Sequence, residues 1–196
     1  TVIDPVAIDA GPDASACLNA PPINLSVGAT PPNGTWTSTG GGLSGSIFTP
    51  SIAGAGTYTL TYTFGNGNCL VTDTRTIVVF PLPVVSAGTD LSACVDETNL
   101  DLGGSPVGGT WTGSFAITGT IFNPSLAGAG TVTLTYTFTD ANGCINSDTR
   151  TVTVNPLPVV TTNNVTFCNT PGLVNLPAAT PAGGMWSGPG ITGNQF

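Results

Sequence analysis

Five cysteines are the residues in this sequence with the clearest potential for chemistry: Cys17, Cys69, Cys94, Cys144 and Cys168. A nucleophilic cysteine needs a neighbouring base, and the chain contains no His and no Lys. A structural zinc site needs four thiolate or imidazole ligands, which two cysteines in each repeat cannot supply. Free buried thiols are an alternative, but they do not explain why a pair recurs at matched positions. The cysteines therefore favour disulfide bonds and an oxidising location.

Carboxylates are the other candidate groups, and their spacing favours a solvated loop. Asp96, Glu97 and Asp101 form the only local acidic cluster that could act as the acid and base of a glycosidase. The matching region of the first repeat has Asn19 and Ala20, so the cluster is not a shared feature. We expect no catalytic residue and no enzymatic activity in this chain.

Bound calcium is the alternative to the expectation that the chain has no cofactor. Asp9, Asp13 and Asp90 lie near the expected domain junctions, and Asp140 lies in an expected hairpin turn. Hard oxygen ligands at junctions could rigidify an array of domains. However, the sequence has no D-x-D-x-D-G loop, and Asp9 is replaced by Ser86 in the second repeat. We therefore expect no metal site and no cofactor.

The only basic residues are Arg75 and Arg150, and each follows an aspartate by two positions, Asp73 and Asp148. Residues two apart on a strand share a face. We predict a structural ion pair in each repeat, with the Arg packed over a Trp or Tyr ring. A ligand-binding role for these arginines is the alternative.

An internal repeat determines the elements that position these residues. Residues 47–64, IFTPSIAGAGTYTLTYTF, match residues 121–138, IFNPSLAGAGTVTLTYTF, and DTRTIVVFPLPVV at 73–85 matches DTRTVTVNPLPVV at 148–160. The repeat predicts six segments: the tail of a preceding repeat (1–5), repeat 1 (6–80), a Pro linker (81–83), repeat 2 (84–155), a Pro linker (156–158) and a truncated repeat 3 (159–196). Pairing cysteines within repeats predicts the disulfides Cys17–Cys69 and Cys94–Cys144, with the partner of Cys168 beyond Phe196.

The pattern inside each repeat predicts an all-β fold. TYTLTYTF at 57–64 alternates apolar and threonine residues, which is typical of a half-buried strand. Turn-forming residues recur every 8–12 positions, as in a β-sandwich. We predict a tandem array of immunoglobulin-like β-sandwich domains, each with one intradomain disulfide near one end. A tryptophan is expected in each core, with an exposed ligand-stacking role as the alternative: Trp36, Trp111 and Trp186.

Charge excludes two classes of partner. The net charge is −8, and two arginines supply no basic surface for nucleic acid or for an anionic membrane. No apolar run reaches the roughly 20 residues that span a bilayer. We expect contacts with adjacent repeats, and surface polysaccharides or other surface proteins as outside partners.

The motifs AG.D…C, G.W, F.P..AG.GT..LTYT, DANGC (140–144) and VNPLP together resemble a known type of repeat. The chain is similar to the immunoglobulin-like repeats of large cell-surface proteins of gliding Bacteroidota, such as the SprB-type gliding-motility adhesins. The resemblance implies export by type IX secretion and display in long extracellular filaments. The DANGC turn is replaced by GNGNC (65–69) in repeat 1.

We therefore expect a non-catalytic, structural and adhesive repeat region of a cell-surface filament. One alternative is a passive spacer within a large secreted enzyme. A second alternative is a fimbrial subunit whose missing strands come from another chain.

Overall fold

The computed structural model describes residues 7–65, 69–168 and 172–196. The expected tail of a preceding repeat, residues 1–5, lies outside these residues. Strands dominate the described chain, and each helix has four residues. The predicted all-β class is confirmed.

Repeats 1 and 2 contain the same elements in the same order. In repeat 1 these are β1 (Ala14–Cys17), β2 (Ile23–Asn24), β3 (Thr35–Ser38), β4 (Leu43–Ser44), β5 (Ile47–Phe48), α1 (Pro50–Ala53), β6 (Gly56–Phe64) and β7 (Val71–Phe80). In repeat 2 these are β8 (Leu91–Cys94), β9 (Leu100–Asp101), β10 (Thr110–Thr112), β11 (Ile117–Thr118), β12 (Ile121–Phe122), α2 (Pro124–Ala127), β13 (Gly130–Thr139) and β14 (Ile145–Asn155).

Each repeat has a four-stranded sheet and a three-stranded sheet. The orders are β1-β7-β6-β3 with β2-β5-β4, and β8-β14-β13-β10 with β9-β12-β11. The two long strands of each repeat form the predicted antiparallel hairpin, β6–β7 and β13–β14. The first strand is different, because β1 runs parallel to β7, and β8 runs parallel to β14.

One hydrophobic core joins the two sheets of each repeat. In repeat 1, Leu25 and Phe48 from the region of the small sheet pack with Leu60, Tyr62 and Ile77 from the large sheet. Repeat 2 has a matching core built on Leu102, Phe122, Leu134, Tyr136 and Val152. The predicted alternation of β6 is confirmed, because Leu60 and Tyr62 are buried whereas Thr57 and Thr59 are exposed. The arrangement resembles a β-sandwich.

The G-x-W motif reflects a close approach of backbone and ring. A Cβ atom on Gly34 would lie 2.4 Å from Cζ of Tyr62. The amide of Gly34 donates a hydrogen bond of 2.7 Å to the Tyr62 hydroxyl. Gly109 and Tyr136 repeat both features, with distances of 2.4 Å and 2.8 Å. Glycine is therefore required before each strand that carries a core tryptophan.

The third repeat begins with the same local structure. Isolated bridges join Asp9 to Thr30, Ser86 to Ser105 and Thr161 to Thr180 at the start of the three repeats. The peptide bond that follows the second residue of each bridge is a cis X-Pro bond in all three cases. The described residues of repeat 3 thus start as the first two repeats do.

Candidate functional site

The cysteines join two repeats instead of closing each one. Cys17 of repeat 1 is bonded to Cys144 of repeat 2, with their Cα atoms 5.5 Å apart and a sequence separation of 127. Cys69 and Cys94 are exposed and free among the described residues. The predicted intradomain pairs Cys17–Cys69 and Cys94–Cys144 are therefore wrong. Cys168 is exposed in repeat 3.

The strand register explains why the intradomain pairing fails. Cys17 lies level with Phe80 at the end of β7, whereas Cys69 precedes Val71 at its beginning. The ten residues of β7 extend about 30 Å at 3.3 Å per residue. Two cysteines can form a disulfide only when their Cα atoms lie within about 7 Å. The two cysteines of one repeat therefore lie at opposite ends of its large sheet.

The β13–β14 hairpin turn holds Cys144 at the junction. The Asp140 carboxylate accepts hydrogen bonds from the amides of Asn142, at 2.9 Å, and of Cys144, at 2.8 Å. The Asp140 amide donates to the Cys144 carbonyl at 3.0 Å, and Gly143 has a φ of +79°. Cys144 is fully buried. The DANGC motif is thus a compact turn that presents a cysteine.

The same hairpin contacts the linker between the repeats. The side-chain amide of Asn146 donates a hydrogen bond of 2.9 Å to the carbonyl of Pro83. The hairpin of repeat 2 is consequently fixed at two points, through Asn146 to the linker and through Cys144 to repeat 1. In the chain-entropy model, a disulfide closing a loop of this length stabilises the fold by about 5 kcal/mol.

Two aspartates in each repeat fix the incoming chain beside the last strand. In repeat 1, Asp73 accepts from the Ala10 amide at 2.7 Å, and Asp13 accepts from the Thr76 amide at 2.6 Å. In repeat 2, Asp148 accepts from the Ala87 amide, and Asp90 accepts from the Thr151 amide, both at 2.8 Å. These bonds account for the AG.D motif and for the Asp of Asp-Thr-Arg.

Backbone amides lower the pKa of two of these carboxyl groups. The pKa of Asp73 lies below its ordinary value because the amides of Ala10 and Thr74 donate to it. The pKa of Asp148 is lowered by the amides of Ala87 and Thr149. Both side chains therefore favour the carboxylate form in the folded chain.

In repeat 2, the two residues of the predicted Asp148–Arg150 ion pair form hydrogen bonds with backbone groups instead. Asp148 accepts from Ala87, while Arg150 donates to the carbonyl of Leu102 at 2.7 Å and to the carbonyl of Thr89. The opposite charge that acts on Arg150 is that of Asp90. Burial nevertheless lowers the pKa of Arg150, and the Asp90 charge opposes that effect.

Both arginines are buried. Arg75 and Arg150 are each 6% exposed, and the Nε atom of each makes no hydrogen bond within the described residues. The Arg150 guanidinium lies over the Trp111 ring, 6.0 Å from its centroid, as predicted. In repeat 1, Nη1 of Arg75 lies 3.7 Å from the position of a Cβ on Gly11. Each guanidinium thus packs against the glycine that follows Ala10 or Ala87.

Two of the three tryptophans lie in the cores. Trp36 packs on Tyr62 with ring centroids 4.8 Å apart, and Trp111 packs on Tyr136 at 5.1 Å. The indole of Trp111 also donates to the Gly103 carbonyl at 2.8 Å. Trp186 of repeat 3 is half-buried and lines an open groove with Pro158.

The aspartates considered for calcium take part in local backbone hydrogen bonds. Asp9 accepts from the Gly11 amide at 2.7 Å, and Asp13, Asp90 and Asp140 have the partners given above. Over residues 7–65, 69–168 and 172–196, no three His, Cys, Asp or Glu residues are grouped as metal ligands. Each of these carboxylates accepts a backbone hydrogen bond in a turn or at a strand edge.

The sequence matches no protein-family model and no curated protein sequence. Among the described residues, no helix has the length and apolar character needed to cross a bilayer.

Proposed function

We propose that this chain is part of a tandem array of immunoglobulin-like domains that forms the structural and adhesive shaft of an extracellular, cell-surface filament. It has no catalytic role, and it acts by transmitting tension and by presenting repeated surfaces. The observation that carries the proposal is the disulfide from Cys17 to Cys144, because it joins consecutive repeats covalently. Disulfides persist in oxidising compartments, which supports an extracellular location.

The strand topology supports a load-bearing role. The chain enters repeat 1 beside Asp73, near the hairpin, and leaves at Phe80 at the opposite end of β7. Strands β1 and β7 are parallel neighbours, and they carry the incoming and outgoing chain. While the Cys17–Cys144 bond is intact it carries tension past β7. Once that bond is reduced, tension along the array would shear all hydrogen bonds between β1 and β7 together, which resists more force than breaking them one after another. Repeat 2 has the same arrangement.

The outer face of each large sheet supports an adhesive role. Threonines face each other across the long strands at Thr59–Thr76, Thr61–Thr74 and Thr63–Thr72. Their hydroxyls can donate and accept hydrogen bonds without charge, which suits polysaccharide hydroxyl groups. Repeating such a face along a filament would turn weak contacts into strong attachment.

The resemblance to gliding-motility adhesins supports the same function and suggests type IX secretion. The test uses antibodies against residues 7–155 on intact cells of the source organism, with immunogold detection and a binding assay on polysaccharide-coated surfaces. Labelled filaments extending from the cell, and weaker attachment after deletion of the repeats, are expected. Labelling confined to a soluble secreted enzyme would contradict the filament and favour the spacer alternative.

A further inference from the structure

We propose that Cys69 and Cys94 belong to a staggered disulfide ladder. In this ladder the cysteine that ends the first strand of each repeat, as Cys17 and Cys94 do (the β1-type cysteine), bonds the cysteine that follows the long hairpin turn of the next repeat, as Cys69 and Cys144 do (the hairpin cysteine). In this ladder, Cys94 receives the hairpin of the repeat that follows repeat 2, and Cys69 bonds the β1-type strand of a preceding repeat. The inference rests on the proposed tandem array, and it assigns a covalent docking site to each end of a repeat.

The β1-type cysteines occupy equivalent positions. Cys17 ends β1 level with Phe80, and Cys94 ends β8 level with Asn155, in both cases at the last residue of a long parallel strand. The long strands β7 and β14 are followed immediately by matching linkers, PLPVV at 81–85 and at 156–160. Cys94 therefore has the same relation to repeat 3 that Cys17 has to repeat 2.

The hairpin cysteines are equivalent as well. Cys69 precedes β7 and Cys144 precedes β14, each after the turn of the long hairpin. Cys69 cannot reach Cys17 because β7 separates them, and Cys17 is already bonded to Cys144. By analogy with Cys144, which bonds the β1-type cysteine of the repeat before it, the partner of Cys69 is the β1-type cysteine of a preceding repeat.

Repeat 3 follows repeat 2 with the start that the ladder requires. The bridge between Thr161 and Thr180 corresponds to the bridge between Ser86 and Ser105 at the existing junction. Residues 159–196 align with repeat 2 only as far as Phe122, so the hairpin cysteine that the ladder assigns to Cys94 is not among them. The partner of Cys94 is therefore a turn of the type that residues 140–144 form in repeat 2.

The bond forms by thiol–disulfide exchange with a disulfide oxidant of the exporting compartment. A thiolate of one cysteine attacks the oxidant to give a mixed disulfide and releases one thiol. The second cysteine then displaces the oxidant's other sulfur. Two protein thiols become one disulfide, and the oxidant disulfide leaves as two thiols, so the two electrons and two protons are balanced.

The test is disulfide mapping of the natural, full-length protein, purified with thiols blocked and digested without reduction. The ladder predicts that the Cys94 peptide is linked to the hairpin peptide of the following repeat. A chain carrying Cys94→Ser should gain one labelled thiol, located at that hairpin, while Cys17–Cys144 stays intact. Recovery of Cys94 as a free thiol, or bonded to Cys69, would overturn the ladder.

The mapping also separates this inference from the proposed function. If the mapping shows the staggered pairs but the protein is absent from the cell surface, the ladder is supported and the filament proposal is contradicted. If Cys94 is a free thiol in a protein that is displayed as surface filaments, the filament proposal is supported and the ladder is contradicted.

Discussion

Cys17 at the end of β1 and Cys144 at the β13–β14 turn are bonded across the junction between two repeats, with their Cα atoms 5.5 Å apart. The first strand of one repeat is thereby fastened to the hairpin of the next. The linker at 81–83 is bridged by this bond and by the hydrogen bond from Asn146 to Pro83. Relative movement of the two repeats is consequently restrained by more than the chain connection.

Removing this disulfide should destabilise the chain selectively. We expect Cys144→Ser to lower the free energy of unfolding by up to about 5 kcal/mol, because the unfolded chain regains the freedom of a long loop. Denaturant unfolding without reductant measures the effect. Both variants are made in the isolated 196-residue chain, where Cys69 is an exposed free thiol at the equivalent hairpin, so the matched control Cys69→Ser should leave stability nearly unchanged. Equal effects of both substitutions would contradict the assigned pairing.

The glycine of the G-x-W motif should tolerate no side chain. We expect Gly34→Ala to destabilise repeat 1 by about 1–3 kcal/mol, because its Cβ would lie 2.4 Å from the Tyr62 ring. The control is Gly41→Ala in the same repeat, where the nearest atom would be 3.9 Å away. Thermal unfolding of both variants gives the comparison, and a neutral Gly34→Ala would show that Tyr62 does not pack as described.

Acid should weaken the attachment of the incoming chain to β7 and β14. The folded-state pKa values of Asp73 and Asp148 are lowered by backbone amides, below an ordinary value of 3.8. Their contribution is fully present above that ordinary value, and it is lost as the pH falls through the lowered folded-state pKa. We expect the melting temperature to fall as the pH drops below about 4.

The matching variant for this pH dependence is the double change Asp73→Asn with Asp148→Asn. An amide does not titrate, so the decline in melting temperature below the ordinary carboxyl pKa should be shallower than in the unaltered chain. Melting curves recorded at a series of pH values provide the measurement. An identical decline in both proteins would assign the acid sensitivity to other carboxyl groups.

Arg150 should act through backbone carbonyls and not through Asp148. We expect Arg150→Ala to destabilise repeat 2 by about 1–3 kcal/mol for each buried carbonyl left without its donor. A double-mutant cycle with Asp148→Asn should give a coupling energy near zero, because the two side chains have different partners. A large coupling in urea unfolding would restore the Asp–Arg ion pair.

The sequence predicted the long hairpins well because their alternation is regular. Leu60 and Tyr62 alternate with threonines, and that pattern selects one buried face whatever the surroundings. The core positions of Trp36 and Trp111 followed from the same regularity and from the repeat.

The disulfide pairing could not be obtained from the repeat alone. Pairing by repeat assumes that Cys17 and Cys69 lie close together, but the parallel register of β1 with β7 places them about 30 Å apart. A four-residue strand such as ASAC carries no local signal that it runs parallel to a distant strand. The roles of Asp13 and Asp90 were missed for the same reason, because their backbone partners lie more than 60 residues away in sequence.

Pulling the two ends of the chain apart in a single-molecule force experiment tests the central claim most directly. The Cys17–Cys144 bond shields the segment between these cysteines, with a sequence separation of 127, from tension. Reductant should therefore release roughly 400–450 Å of additional extension in one event, at 3.3–3.6 Å per residue. Two separate releases of roughly 170–180 Å, one from each repeat, would instead indicate intradomain disulfides and would contradict the covalent junction.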